Sequence, residues 1–444
     1  MSGAESSVEC GYGGPWGLFP VPYGREVFQY HWFNFWNSIS YQIIAGPPVV
    51  LLAKELGAGS LLLGIIASFQ PLMIILQIPA AKRLGNRGYR SFALAGWTTR
   101  TLFITLAALV PSMVLFERGT RLALLTLALF FFSLVRGFSS AAFLPWITGI
   151  VPATQRGRFL AVDQSFLNAG FLAAMVVSAV MLAGHVESWR YSLVLGISLV
   201  SALVGLFFLA RVPDTAHVEY DGEQHPAHPV SLRVMIAHAP FRNFILFGFL
   251  VAAMSGGLGV FPVEYQRVGA GFTPSVISAL SAAIFLGPIL VLRYFGRSVD
   301  RAGGIPVMRN AMACFSFILL LWTLICAGII PPSYGWVLVL NMTGGAALAV
   351  FSMASGHLLM ELVPMRGKNH YFAMATVAGN LGLSLSPVIW GWLLERMHRL
   401  DLFLGPFHVT KYSVYFAGIT LLAIAAVPGC MILKNAEAFR KQGQ

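Results

Sequence analysis

The sequence predicts an all-α integral membrane protein of about twelve transmembrane helices, built as a duplicated six-helix unit. Three observations carry that expectation. Charge is scarce, apolar runs of spanning length recur along the whole chain, and the second half repeats the first. Only 10% of the 444 residues are charged and 57% are hydrophobic, with a mean hydropathy of +0.74. A water-exposed chain of this size carries roughly 25% charged residues, so lipid is the main solvent.

Spanning the hydrocarbon core takes about 20 apolar residues per helix. With Gly, Pro and charge as boundaries, such runs fall at about 30–53, 61–81, 91–110, 122–151, 159–184 and 191–211. Six more fall at about 241–266, 274–295, 307–330, 334–362, 371–394 and 411–433. This predicts an N-terminal tail over 1–29, a six-helix bundle over 30–211, a polar central loop over 212–240, a second bundle over 241–433 and a tail over 434–444. The N-terminal segment lacks the basic and apolar regions of a cleaved leader and is expected to be a cytoplasmic tail.

The net charge of +12 does not mark a nucleic-acid partner, because the positive residues are spread over many short loops. They are unevenly shared between the two sides. With the N-terminus inside, the inner loops receive Arg25, Lys82, Arg83, Arg156, Arg301, Arg366 and others. These outnumber the outer set (Lys54, Arg118, Arg121, Arg190, Arg267, Arg396, Arg399, Lys411) by more than two to one. That bias is the positive-inside pattern, and it places both termini in the cytoplasm. Compact loops suggest a bacterial inner membrane. The cysteines, Cys10, Cys314, Cys326 and Cys430, have no metal-ligand spacing.

The halves match at a separation of roughly 212 residues. Phe138-Ser-Ser-Ala, Val151-Pro152, Arg156-Gly157-Arg158 and Asn168-Ala-Gly170 are echoed by Phe351-Ser-Met-Ala, Val363-Pro364, Arg366-Gly367-Lys368 and Asn380-Leu-Gly382. Pro48 with Leu56-Gly57-Ala58 is likewise echoed by Pro262 with Val268-Gly269-Ala270. Duplication of this kind is a transporter trait.

The loop expected between helices eight and nine reads Gly296-Arg-Ser-Val-Asp300-Arg301-Ala-Gly303-Gly304. It resembles the G-x-x-x-D-R-x-G-R signature of the major facilitator superfamily. The N-half segment Ala81-Lys82-Arg83-Leu84-Gly85-Asn86-Arg87 keeps Arg83 and the Gly but has Lys82 in place of the Asp. The resemblance implies two pseudo-symmetric six-helix bundles, a central cavity and alternating access by rocking of the halves. It also implies a gating role for Asp300, Arg301 and Arg83, with Glu361 as the expected partner of Arg301.

Ionisable residues at membrane depth are costly, at least ~2.5–3.5 kcal/mol on insertion scales, and are functional candidates by default. Arg100 and Arg136 sit near the middles of helices three and four and are the first substrate-binding candidates. The alternative reading is that they brace helix packing through carbonyls or an acid. Acids are few, and Asp163 and Glu264 are the candidates for pairing with an arginine or for coupling to protons. Asn34, Asn37 and Gln42 on helix one can bind a polar solute, since first helices line the cavity in the family. His31 and Trp32, beside them, read as an interfacial belt.

No nucleotide-binding loop, metal cluster or nucleophile–base set is evident, so neither cofactor nor enzymatic activity is expected. The leading expectation is a secondary transporter, proton-coupled or uniport, for a small polar or anionic organic solute, acting as a monomer. The alternatives are an exporter of an amphiphile, drug or lipid, and a transport-like receptor without net flux.

Overall fold

The computed structural model describes residues 25–83, 88–143, 146, 150, 156–184, 187–214, 232–363 and 368–442. The chain within them is almost wholly helical. Among the described residues ten helices are long and apolar enough to cross a membrane. The other two crossings, helices one and seven, are each interrupted. Helix one runs over Arg25–Ala45 and resumes over Pro47–Glu55. Pro47 and Pro48 offer no N–H to the preceding turn, so the helical ladder ends at Gly46 and restarts from its carbonyl. Helix seven runs over Ala239–Ser255, passes through a glycine-rich turn and continues over Phe261–Glu264 and a π-helical turn at Tyr265–Gly269. A side chain at Gly256 would meet the Leu383 carbonyl oxygen of helix eleven at 2.7 Å, so glycine is required at that approach.

The remaining crossings are helix two (Ser60–Met73 and Gln77–Arg83, joined by a 3-10 turn), helix three (Tyr89–Leu109) and helix four (Arg118–Ser139). Helices five and six cover Arg156–Met181 and Ser188–Leu209. Helices eight, nine and ten cover Pro274–Ala302, Gly304–Cys326 and Tyr334–Leu362. Helices eleven and twelve cover Lys368–Arg396 and Lys411–Gln442, with a two-stranded hairpin between them pairing Asp401–Leu404 with Phe407–Thr410. The expected central loop contributes a short helix, Leu232–Ala237, while its residues 215–231 lie outside the described ones, as do residues 1–24 of the N-terminal tail.

Packing repeats as the sequence does. Helix one packs on five and six, three on four and six, and two on four. Helix seven packs on eleven and twelve, nine on ten and twelve, and eight on ten. Adding six to each number in the first set gives the second. Between the halves the principal contacts are helix two on eleven and helix five on eight, a pair that the same exchange interconverts. The chain is therefore two similar six-helix units related by a pseudo-two-fold axis.

One expectation needs correction. The signature segment is not a loop, because helix eight continues to Ala302. Nothing in Arg-Ser-Val-Asp-Arg stops a helix. The break comes at Gly303, whose φ of +81° suits only a residue without a side chain, and helix nine starts at the next residue.

Candidate functional site

Two adjoining lobes of a central cavity lie where helices one and seven are interrupted. Both lobes are walled by Tyr41, Ala45, Gly46 and Gly259. The first has a volume of about 320 Å3 and is completed by helices two and four, with Gln70, Ser133 and Arg136, and by Asn380 of helix eleven. The second, of about 360 Å3, is enclosed by helices seven to ten and twelve and carries Gln42, Gln266 and Asn341 among aromatic residues. Paired interruptions at matching places in the two halves mark the solute site in transporters of duplicated design.

Arg136 gives the first lobe its character. Its Nη1 donates to Gln70 Oε1 at 3.1 Å, and its guanidinium carbon lies 4.4 Å from the centre of the Tyr41 ring. Gln70 in turn donates to Ser133 Oγ at 2.9 Å. Among the described residues no carboxylate lies within ion-pair distance of Arg136. A partly buried cation at membrane depth thus faces a cavity with no acid beside it among the described residues.

Arg100 is placed differently. It is 1% exposed, lines neither lobe, donates to Asn37 Oδ1 at 2.7 Å and lies over the Trp97 and Phe132 rings. Asn37 also accepts from Trp97 Nε1 at 3.1 Å, so both residues sit inside the N-terminal unit, behind the cavity wall. Asn34 donates to Asp163 Oδ1 at 2.9 Å, and His31 Nδ1 lies 3.4 Å from the same oxygen. His31 is fully buried, stacked against Phe159 and Phe166. Sequence reasoning assigned His31 to an interfacial belt, because its partner lies 132 residues away.

Glu264 is fully buried at the end of helix seven, on the face opposite the termini face, where the described chain ends Arg25 and Gln442 lie. Its Oε1 receives Lys411 Nζ at 3.0 Å, Lys54 Nζ at 3.3 Å, Ser60 Oγ at 2.8 Å and Tyr412 Oη at 3.3 Å. Lys54 and Ser60 belong to the other half. Two further cross-half links lie on the same face, Arg267 to Glu55 at 2.5 Å and the Ser60 N–H to Glu395 at 2.8 Å. On the termini face, Glu361 lies 3.6 Å from His357 Nδ1, and Arg301 is exposed at the end of helix eight. The side chains of Asp300 and Arg83 lie outside the described ones. Gln266, also on the cavity wall, was not singled out from the sequence.

The chain is similar to known proteins in fold. No curated protein matches it in sequence. Among solved structures, the nucleoside transporter NupG superposes with a TM-score of 0.67 at 13% identity, over 92% of this chain and 99% of that one. A D-xylose–proton symporter gives 0.70 at 14% identity, over 90% and 96%. A bacterial homologue of the iron transporter ferroportin, in an inward-facing state, gives 0.65 at 14%, over 93% and 98%. Identities this low speak to the fold alone. The family model described as Major Facilitator Superfamily matches residues 32–308, well over half of the sequence. The chain is an integral multi-pass membrane protein and belongs to the major facilitator superfamily.

Proposed function

We propose that the chain is a secondary transporter that moves a small polar or anionic organic solute by alternating access, with Arg136 holding the anionic group. The observation that carries this reading is the Arg136 guanidinium at the first lobe, with no acid beside it among the described residues. A carboxylate or phosphate would satisfy it with charge-assisted, bidentate bonds. Arg100 and Asn37 brace the N-terminal unit behind it, and Gln42 lies within reach of the solute in the second lobe.

Alternating access is supported by where the cross-half links lie. Glu264, Glu55 and Glu395 tie the halves on the face opposite the termini, so parting these links opens the cavity there. In this reading Glu264 gates that face, while Asp300, Arg301, Arg83 and Glu361 serve the other. Asp163, shared by Asn34 and His31, is the proton-coupling candidate, since protonation would loosen its hold on helix one. The positive-inside bias puts both termini in the cytoplasm of a bacterial inner membrane, and a single chain contains the whole cavity. Export of an amphiphile is the second reading, favoured by the aromatic lining of the second lobe.

Solute counterflow in proteoliposomes tests the leading reading. The wild type is expected to exchange an organic anion, and Arg136→Gln to lose that exchange by about 10- to 100-fold, as expected for one charged hydrogen-bonding group. Equal exchange by both proteins, or exchange of neutral sugars alone, overturns it.

A further inference from the structure

We infer that the second lobe is a ring-binding subsite, so that the solute is an organic anion carrying a flat ring with an N–H or O–H donor on its edge. This deepens the reading of Arg136 as the anion anchor and rests on it. The lobe is walled by Phe285, Phe315, Trp322 and Phe416, with Tyr41 at the boundary to the first lobe. Trp322 and Phe416 are stacked on one another, 6° apart with ring centres at 5.1 Å, and form one aromatic unit of the wall. Flat aromatic walls favour a flat apolar guest, through offset or edge-on ring contacts.

The polar requirement comes from Gln266. Its residue is 2% exposed, yet its Oε1 has no hydrogen-bond partner among the described residues. A buried carbonyl oxygen without a donor is unfavourable unless something fills the site. Gln266 sits in the π-helical turn Tyr265–Gly269, where the Ala270 N–H bonds five residues back to the Tyr265 carbonyl at 2.9 Å. Turns of this kind are rare and concentrate at functional sites, because the wider turn re-aims a side chain. Asn341, across the lobe, spends its Nδ2 on the Leu280 carbonyl at 2.9 Å. It therefore does not relieve Gln266, which a donor on the guest would satisfy.

The two lobes share four wall residues and so adjoin, and a solute with its anionic group at Arg136 would extend past Tyr41 to place its ring in the second lobe. Neither lobe alone specifies this combination. The first lobe selects charge and the second selects a donor-bearing ring.

Binding of matched carboxylates to the purified full chain tests the inference. Para-hydroxybenzoate offers charge, flat ring and donor, benzoate lacks the donor, and cyclohexanecarboxylate lacks the flat ring. Wild type should bind para-hydroxybenzoate about tenfold tighter than benzoate, and benzoate tighter than cyclohexanecarboxylate. Gln266→Met should erase the first preference and leave benzoate affinity unchanged, while Arg136→Gln should weaken all three together. The wild-type preferences stand as a test even if a variant fails to fold. Equal affinity for the three compounds, all lost in Arg136→Gln, overturns the ring subsite and spares the anion anchor. Ring compounds that bind Arg136→Gln as tightly as wild type overturn the anchor instead. Failure of wild type to bind any of the ring-bearing acids overturns the inference.

Discussion

Glu55 on helix one and Arg267 on helix seven meet at 2.5 Å across a separation of 212 residues. That separation is the repeat length itself, so the pair joins the ends of the two interrupted helices. The side chains are 40% and 32% exposed, and such a pair adds only about 0–1 kcal/mol to folding. Its effect lies in the balance between closed and open states. Reversing either charge, Glu55→Arg or Arg267→Glu, should change the counterflow rate without unfolding the protein. The double reversal should return the rate to within about threefold of wild type, since coupled charges are non-additive. A double variant no better than its singles would show that the pair is not coupled to transport.

Glu264 has a heavier role. Replacing it by Gln leaves Lys54 and Lys411 facing a buried site without their counter-charge. Both lysines are partly exposed, so the cost is expected at about 2–3 kcal/mol, below that of a fully buried pair. Thermal unfolding in detergent should show a lower midpoint for Glu264→Gln. An unchanged midpoint would mean that solvent already screens the cluster.

Close backbone approach between helices two and eleven is the steric side of the same closure. A side chain at Gly64 would lie 2.0 Å from the Pro387 carbonyl oxygen. Gly64→Ala is therefore expected to part these helices, cutting transport by about tenfold while helical content by circular dichroism stays the same, because the clash lies between rigid elements. Wild-type transport in this variant would place the contact outside the working cycle.

Much of this was legible in the sequence, but not all for the same reason. Helix number, duplication and the paired prolines at 48 and 262 follow from local composition and self-similarity. Arg100 and Arg136 could not be told apart, because both read as mid-helix arginines, whereas the structure keeps Arg100 in mid-helix and puts Arg136 in the last turn of helix four. Which one meets the cavity depends on helix rotation, set by contacts such as Asn37 to Arg100 and Tyr41 to Arg136. His31 reads from the sequence as an interfacial residue because its partner is remote, and Gln266 is aimed by a π-helical turn that no residue pattern announces.

Asp163 separates coupling from binding. If its carboxylate, held by Asn34 and His31, carries the proton, then Asp163→Asn should still catalyse solute counterflow. It should also lose accumulation driven by an imposed pH gradient. A variant that still accumulates solute against its gradient moves the coupling site elsewhere.

Accessibility of the first lobe tests the alternating cavity most directly. Ser133, 2% exposed and on the wall beside Arg136, can be replaced by cysteine in a chain whose four native cysteines are removed. With the face opposite the termini closed, the Ser133→Cys thiol should react with a membrane-impermeant maleimide from the termini face only. Adding Glu264→Gln should admit the reagent from the opposite face, and a transported anion should protect the thiol in both proteins. Reaction from the same single face in both proteins, with no protection by any solute, would contradict a central, alternately exposed site.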